Sequence, residues 1–123
     1  MQVMKLTGDN DDLPVSTNKQ KSAFPPNFVH SLDASHMLLT ALAAKEDGLT
    51  FSAVHDSFWT HACDIPILSS VLREQFVNLY NAPILENLAE SLEKRFPDIK
   101  FPPIPKRGDF DIEDVRDSTY FFH

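Results

Sequence analysis

At 123 residues the chain is long enough for one domain with one modest core, and a hydrophobic content of 42% excludes disorder throughout. Its net charge of -7, from 18 acidic against 11 basic residues, does not suit a stand-alone nucleic-acid binder, because phosphate binding ordinarily comes with a basic surface. Any such role must borrow positive charge from elsewhere or bring it in as a metal ion.

A single cysteine, Cys63, rules out an internal disulfide and a cysteine-based zinc site, and points weakly to a reducing compartment. No apolar run approaches the roughly 20 residues needed to span a bilayer. The opening Met1 to Leu6 is too short and too weakly basic for a signal or transit peptide.

In chain order, Gln2 to Leu6 alternates loosely and predicts a strand, and the Asp- and Asn-rich stretch Thr7 to Asp12 predicts a loop. Pro14 to Ala23 is polar and is expected to be extended or irregular, with Lys19 and Lys21 as exposed loop lysines. Pro25-Pro26-Asn27 announces a helix, because proline fits the first helical turn. That helix is predicted to run from Phe28 to Lys45 and to stop at Gly48. Apolar residues on more than one side argue that it is buried between other elements. His30, Asp33, Met37 and Ala41 fall on one stripe, where the plainer reading of His30 and Asp33 is a satisfied pair lining a core.

Leu49 to Val54 reads as a strand and Ser57 to Ala62 as a second, with His55-Asp56 at the bend of a tight hairpin. Asp64 is the expected N-cap of the next helix, whose stripe is Leu68, Val71, Leu72, Phe76 and Leu79. Asn81-Ala82-Pro83 breaks it and starts another, with the stripe Leu85, Leu88, Ala89, Leu92 and Phe96 and an i,i+4 pair, Glu90 and Lys94. Both helices read as amphipathic cover for a sheet. Pro97 to Gly108 is too proline-rich for regular structure, and Asp111 is placed to cap a short helix through Asp117. Tyr120, Phe121 and Phe122 are costly to leave in water and are expected to dock against the body.

Asp56 is the residue on which chemistry centres. A carboxylate at the turn leaving a strand is held on a rigid element and lifted into open space. Taken alone it is equally a metal ligand, a general base or a turn residue bonded to its own backbone. His30, His36, His61 and His123 form no recognised metal spacing, and Cys63 is expected to be a buried, inert thiol. No nucleophile elbow, phosphate loop or dinucleotide fingerprint is present.

Three stretches together are more specific. They are Lys19-Gln20-Lys21-Ser22-Ala23-Phe24-Pro25-Pro26-Asn27-Phe28-Val29-His30-Ser31-Leu32-Asp33-Ala34-Ser35-His36-Met37, then Val54-His55-Asp56-Ser57-Phe58-Trp59-Thr60-His61-Ala62, then Pro103-Ile104-Pro105-Lys106-Arg107-Gly108-Asp109-Phe110-Asp111. In this order and spacing the chain, from about Leu13 to His123, closely resembles the C-terminal end of the phage-type single-subunit DNA-dependent RNA polymerases, in their mitochondrial or plant organellar branch. The resemblance implies an α+β fold: the C-terminal palm segment of a right-hand polymerase, with a buried helix, a catalytic β-hairpin, two covering helices and a foot-like tail. It implies a single partial domain over 1–123, made of a lead-in (1–25), a helix–hairpin–helix–helix body (26–96) and a tail (97–123).

By the same resemblance Asp56 would be a catalytic aspartate binding Mg2+ in a two-metal nucleotidyl transfer. His30 would contact the template–product duplex, His55 would lie beside it at the active site, and Phe121 and Phe122 would steady that site. The partners implied are a DNA template, an RNA product, nucleoside triphosphates and transcription factors, with no membrane, in the mitochondrion. The family's second metal-binding aspartate and its nucleotide-binding fingers helix have no match in this sequence, so the chain is expected to be a fragment, inactive alone. A family A DNA polymerase palm and a non-catalytic interaction module are the competing readings.

Overall fold

The computed structural model describes residues 14–122. Along the chain come α1 (Thr17–Glu46), β1 (Ser52–Val54), β2 (Ser57–Trp59), a 3-10 turn (Ala62–Asp64), α2 (Ile65–Asn81), α3 (Ile84–Arg95) and a second 3-10 helix (Ile112–Asp117). This is an α+β chain with one small two-stranded antiparallel sheet among the described residues. The predicted strand over Gln2 to Leu6 and the loop over Thr7 to Asp12 lie outside the described residues. The chain divides into two compact units, 1–31 and 32–123.

In the first unit the expected irregular lead-in is instead helical from Thr17. Lys19, Gln20, Lys21 and Ala23 are good helix formers, and their propensity outweighs the lack of an apolar stripe. Lys19 and Lys21 are therefore helix-surface residues, not loop residues. Pro25 and Pro26 lie inside α1 rather than at its start. They leave the carbonyls of Lys21 and Ser22 without helical N–H donors. These positions are exposed, so water can satisfy both. The Ser22 hydroxyl binds back to the carbonyls of Asn18 and Lys19, and Phe24 stacks on Phe28 one turn later.

In the second unit α1 ends where glycine permits. Gly48 has φ 72, its N–H donates to the Lys45 carbonyl, and the Leu49 N–H donates to the Ala44 carbonyl at 2.8 Å. That pair of bonds is a Schellman cap, which uses glycine because other residues strain in left-handed backbone. Contrary to expectation, this helix is not buried on several sides. Its buried residues are His36, Thr40 and Ala44, a single i, i+4, i+8 stripe, while Leu38 and Leu42 are exposed. Asp33 is exposed as well, and no core-lining pair with His30 forms.

The expectation of two helices covering a sheet fails for a physical reason. Each strand is only three residues long, and two such strands offer no face broad enough to cover. The apolar stripe of α2, with Leu68, Val71, Leu72 and Val77 buried, packs mainly against the second 3-10 helix instead. α3 buries nothing fully; Leu85 and Phe96 of its predicted stripe are exposed. The Glu90–Lys94 pair forms at 2.6 Å on its wet side.

Polar clamps hold the second 3-10 helix along α2. Arg73 Nη1 donates to the carbonyls of Val115 and Ser118, at 2.9 and 2.6 Å, over the buried Val115 side chain. Arg116 grips both Glu74 oxygens, at 2.8 and 3.0 Å, and also pairs with Glu113. Asn81 Nδ2 donates to Glu113. The hydrogen bond from Arg116 holds the Glu74 carboxyl below its ordinary range. Its stabilising share is thus present above the ordinary carboxylate pKa and lost as pH falls through the lowered value. Asp111 caps this helix as expected, its Oδ1 accepting from the Glu113 N–H at 3.0 Å.

Two outcomes follow for stability. Gly48→Ala should cost about 1 kcal/mol in urea unfolding, from backbone strain alone, since a Cβ there meets nothing within 4 Å. Arg73→Ala should cost about 2 kcal/mol by the same measure. It should also speed amide hydrogen exchange over residues 112–122 more than over α3.

Candidate functional site

The hairpin that carries Asp56 is pinned by its own chemistry. Ser52 pairs with Trp59, Ala53 with Phe58 and Val54 with Ser57, which leaves His55-Asp56 as a two-residue loop. His55 takes φ 54, a left-handed conformation that non-glycine residues adopt at a cost. A positive φ at the first loop position matches the right-handed twist of the flanking strands. At the base, the Thr60 hydroxyl donates to the Thr50 carbonyl at 2.7 Å. Below it Phe51 and Phe58 lie 6.0 Å apart.

Asp56 is exposed at this bend, and no hydrogen bond or ion pair engages its carboxylate among the described residues. It lines an open cleft of about 480 Å3. The other linings are the hairpin residues Ser57 to Thr60, the start of α2 through Ile65, Leu68 and Leu72, and the tail residues Phe121 and Phe122. A free carboxylate at the edge of a largely apolar cleft can accept a hydrogen bond, take a proton or ligate a hard cation. No group of three His, Cys, Asp or Glu side chains able to hold a metal occurs among the described residues.

The tail docks as predicted for Phe121 and Phe122 but not for Tyr120, which is 80% exposed. Phe121 meets Phe76 edge-on at 5.0 Å and lies beneath the Arg73 guanidinium at 5.5 Å. Phe122 meets Phe58 edge-on at 5.3 Å. Phe76 in turn packs on Tyr80 at 4.5 Å. Burial pushes the Tyr80 phenol above its ordinary value, and the charge of Asp33 adds to the shift.

The other sequence candidates scatter. His55 is exposed beside Asp56, and His30 is exposed on α1 in the first unit. His61 is exposed, while His123 lies outside the described residues. Cys63 is not the buried thiol expected: it sits exposed in the 3-10 turn, where only Ala62 and Asp64 share the element. Asp64 occupies the N-cap position of α2 without a side-chain cap bond. Arg107, in the proline-rich stretch, is engaged, donating to the Ala82 carbonyl at 3.0 Å.

One residue of consequence was missed. His36 is 5% exposed, and its Nε2 lies 2.9 Å from the Leu72 carbonyl of α2. The sequence signal available was position: His36, Thr40 and Ala44 recur every four residues with small or polar side chains, which fits a close helix contact.

Comparison with known proteins identifies the family. The family model described as DNA-dependent RNA polymerase matches residues 1–100 and 96–123. Over all 123 residues the chain is 57% identical to DNA-directed RNA polymerase 1B, mitochondrial, of Nicotiana tabacum. It is 56% identical to DNA-directed RNA polymerase 1A of the same plant. It is 55% identical to DNA-directed RNA polymerase 2, chloroplastic/mitochondrial, of Arabidopsis thaliana. The chain spans 78% of the 1A protein but only 12% of the length of the other two. These relatives are nucleotidyltransferases of RNA synthesis, and their names divide between mitochondrion and chloroplast. The match is to RNA rather than DNA polymerases, and it covers every motif that carried the resemblance. The chain belongs to the DNA-dependent RNA polymerase family.

Proposed function

We propose that this chain forms the C-terminal palm segment of an organellar DNA-directed RNA polymerase, with Asp56 as a catalytic carboxylate of RNA chain extension. The observation that carries the reading is Asp56 itself: unpaired, solvent-facing, set on a pinned two-residue bend and opening on a cleft. A turn carboxylate serving only the fold would be bonded to nearby backbone N–H groups.

The donor chemistry fits Mg2+, a hard cation that takes oxygen ligands and uses one or two carboxylates together with water and substrate phosphates. Asp56 would hold it. When bound, the ion would favour the deprotonated RNA 3′-hydroxyl and offset charge on the departing pyrophosphate. Further ligands would have to come from the substrate, from water and from protein beyond the residues described. The 123 residues alone are therefore expected not to polymerise RNA.

The hairpin's part is to keep the carboxylate in place, because misplacement by about 1 Å can cost a hundredfold in rate. Phe121 and Phe122 support it from the tail through Phe58 and Phe76. His55, exposed beside Asp56, would meet the nucleic acid or nucleotide. His30, exposed on α1, would contact the template–product duplex, with a DNA template, RNA product and nucleoside triphosphates as partners in the complete enzyme. Mitochondrial transcription is the role favoured, on the name of the 1B relative.

The test joins this sequence to the upstream part of the tobacco mitochondrial relative. Asp56→Asn should lower single-nucleotide addition by about a hundredfold or more, with DNA binding largely kept. Near-normal elongation would reject the assignment. His30→Ala in the same background should shorten the lifetime of the elongation complex without abolishing chemistry, and an unchanged lifetime would count against the duplex contact.

A further inference from the structure

We propose that His36 is a positioning residue for the Asp56 hairpin. The inference rests on the reading of Asp56 as the catalytic carboxylate. A carbonyl oxygen can only accept, so the His36 Nε2 carries a proton and donates it to the Leu72 carbonyl at 2.9 Å. Leu72 lies mid-way along α2, where its carbonyl already serves the helix, and a second lone pair is free for this bond. The imidazole is thereby fixed in both position and tilt.

Four rings surround it. Phe76 of α2 meets it edge-on at 5.6 Å, and Phe122 stacks on it at 5.9 Å with the planes 20° apart. Phe58 and Phe121 approach edge-on at 6.3 and 6.5 Å. One side chain of α1 therefore touches the hairpin, α2 and the tail together. Phe58 is the member that matters most. It is the middle residue of β2, the strand that leaves the bend directly after Asp56, and it pairs with Ala53 of β1. Fixing Phe58 thus anchors the short ribbon from which the bend presents its carboxylate.

A bland aromatic could fill this space but could not take the α2 carbonyl as a fixed point. An alanine would fill neither role. The hydrogen bond and the ring cage are both needed, and only histidine among the aromatics brings a buried N–H donor in a ring of this size.

The test uses the same complete polymerase. In the absence of metal, hydrogen exchange over residues 54–59 and 118–122 should rise about tenfold or more in His36→Ala, while α3 amides stay within twofold. The Mg2+ concentration for half-maximal nucleotide addition should rise several-fold with DNA binding unchanged. His36→Gln, which keeps an amide donor, should bring the Mg2+ requirement and the exchange at least halfway back. If His36→Ala does not fold, His36→Phe, which keeps the ring and loses the donor, carries the same measurements. Uniformly raised exchange with an unchanged Mg2+ requirement would overturn the proposal and leave His36 as ordinary packing. Asp56→Asn separates the two readings. Normal elongation in that variant sinks the catalytic assignment. An inactive Asp56→Asn beside His36 variants indifferent to Mg2+ sinks only this one.

Discussion

The described body of this chain depends on one hydrogen bond across two helices. A buried imidazole on α1 donates to a mid-helix carbonyl of α2. The fully buried side chains are few and small, chiefly Val77, Thr40 and Ala44. With so little apolar volume available, fixed polar contacts and aromatic edges must do the work of alignment. Arg73 has a parallel duty on α2, where two carbonyl bonds and a ring beneath its guanidinium bring the last 3-10 helix and the tail into register. The two anchors share the Phe121 ring, which lines the cleft beside Asp56.

Local signals in the sequence were legible because they are decided locally. Gly48 ends α1 because its φ is positive, Asp111 caps because its side chain reaches an N–H two residues on, and His55-Asp56 turns because nothing but a two-residue loop fits between the strands. The signals that failed depend on distant partners. Pro25-Pro26 looked like a helix start because proline is cheap there. The chain before it is helical anyway, and solvent takes over the hydrogen bonds that proline cannot make. The covering role of α2 and α3 was inferred from their stripes, but that of α2 packs against a 3-10 helix rather than a sheet, and α3 buries none of its residues fully.

The site divides in the same way. The place of Asp56 at a bend was readable, and the structure leaves it exposed at the edge of the cleft. His36 was harder to read, because its stripe with Thr40 and Ala44 marks a helix contact but not the carbonyl that faces it. Cys63 went wrong for a related reason: cysteine is usually buried, but a 3-10 turn between a short hairpin and a helix has no interior to offer. The chain spans 12% of several of its relatives, so much of such an enzyme lies outside it.

The walls of the cleft come from segments far apart in sequence, the bend at residues 56–60, α2 and the phenylalanines at 121 and 122. A hairpin closes within about 10 microseconds of its strands becoming available. A contact between positions some sixty residues apart must first pay the entropy of a large loop. During synthesis the carboxylate-bearing ribbon can therefore take shape early, while the hollow it faces stays unfinished until the closing aromatics emerge and find their seats. Completion of the cleft would be a late event, set by the arrival of the tail.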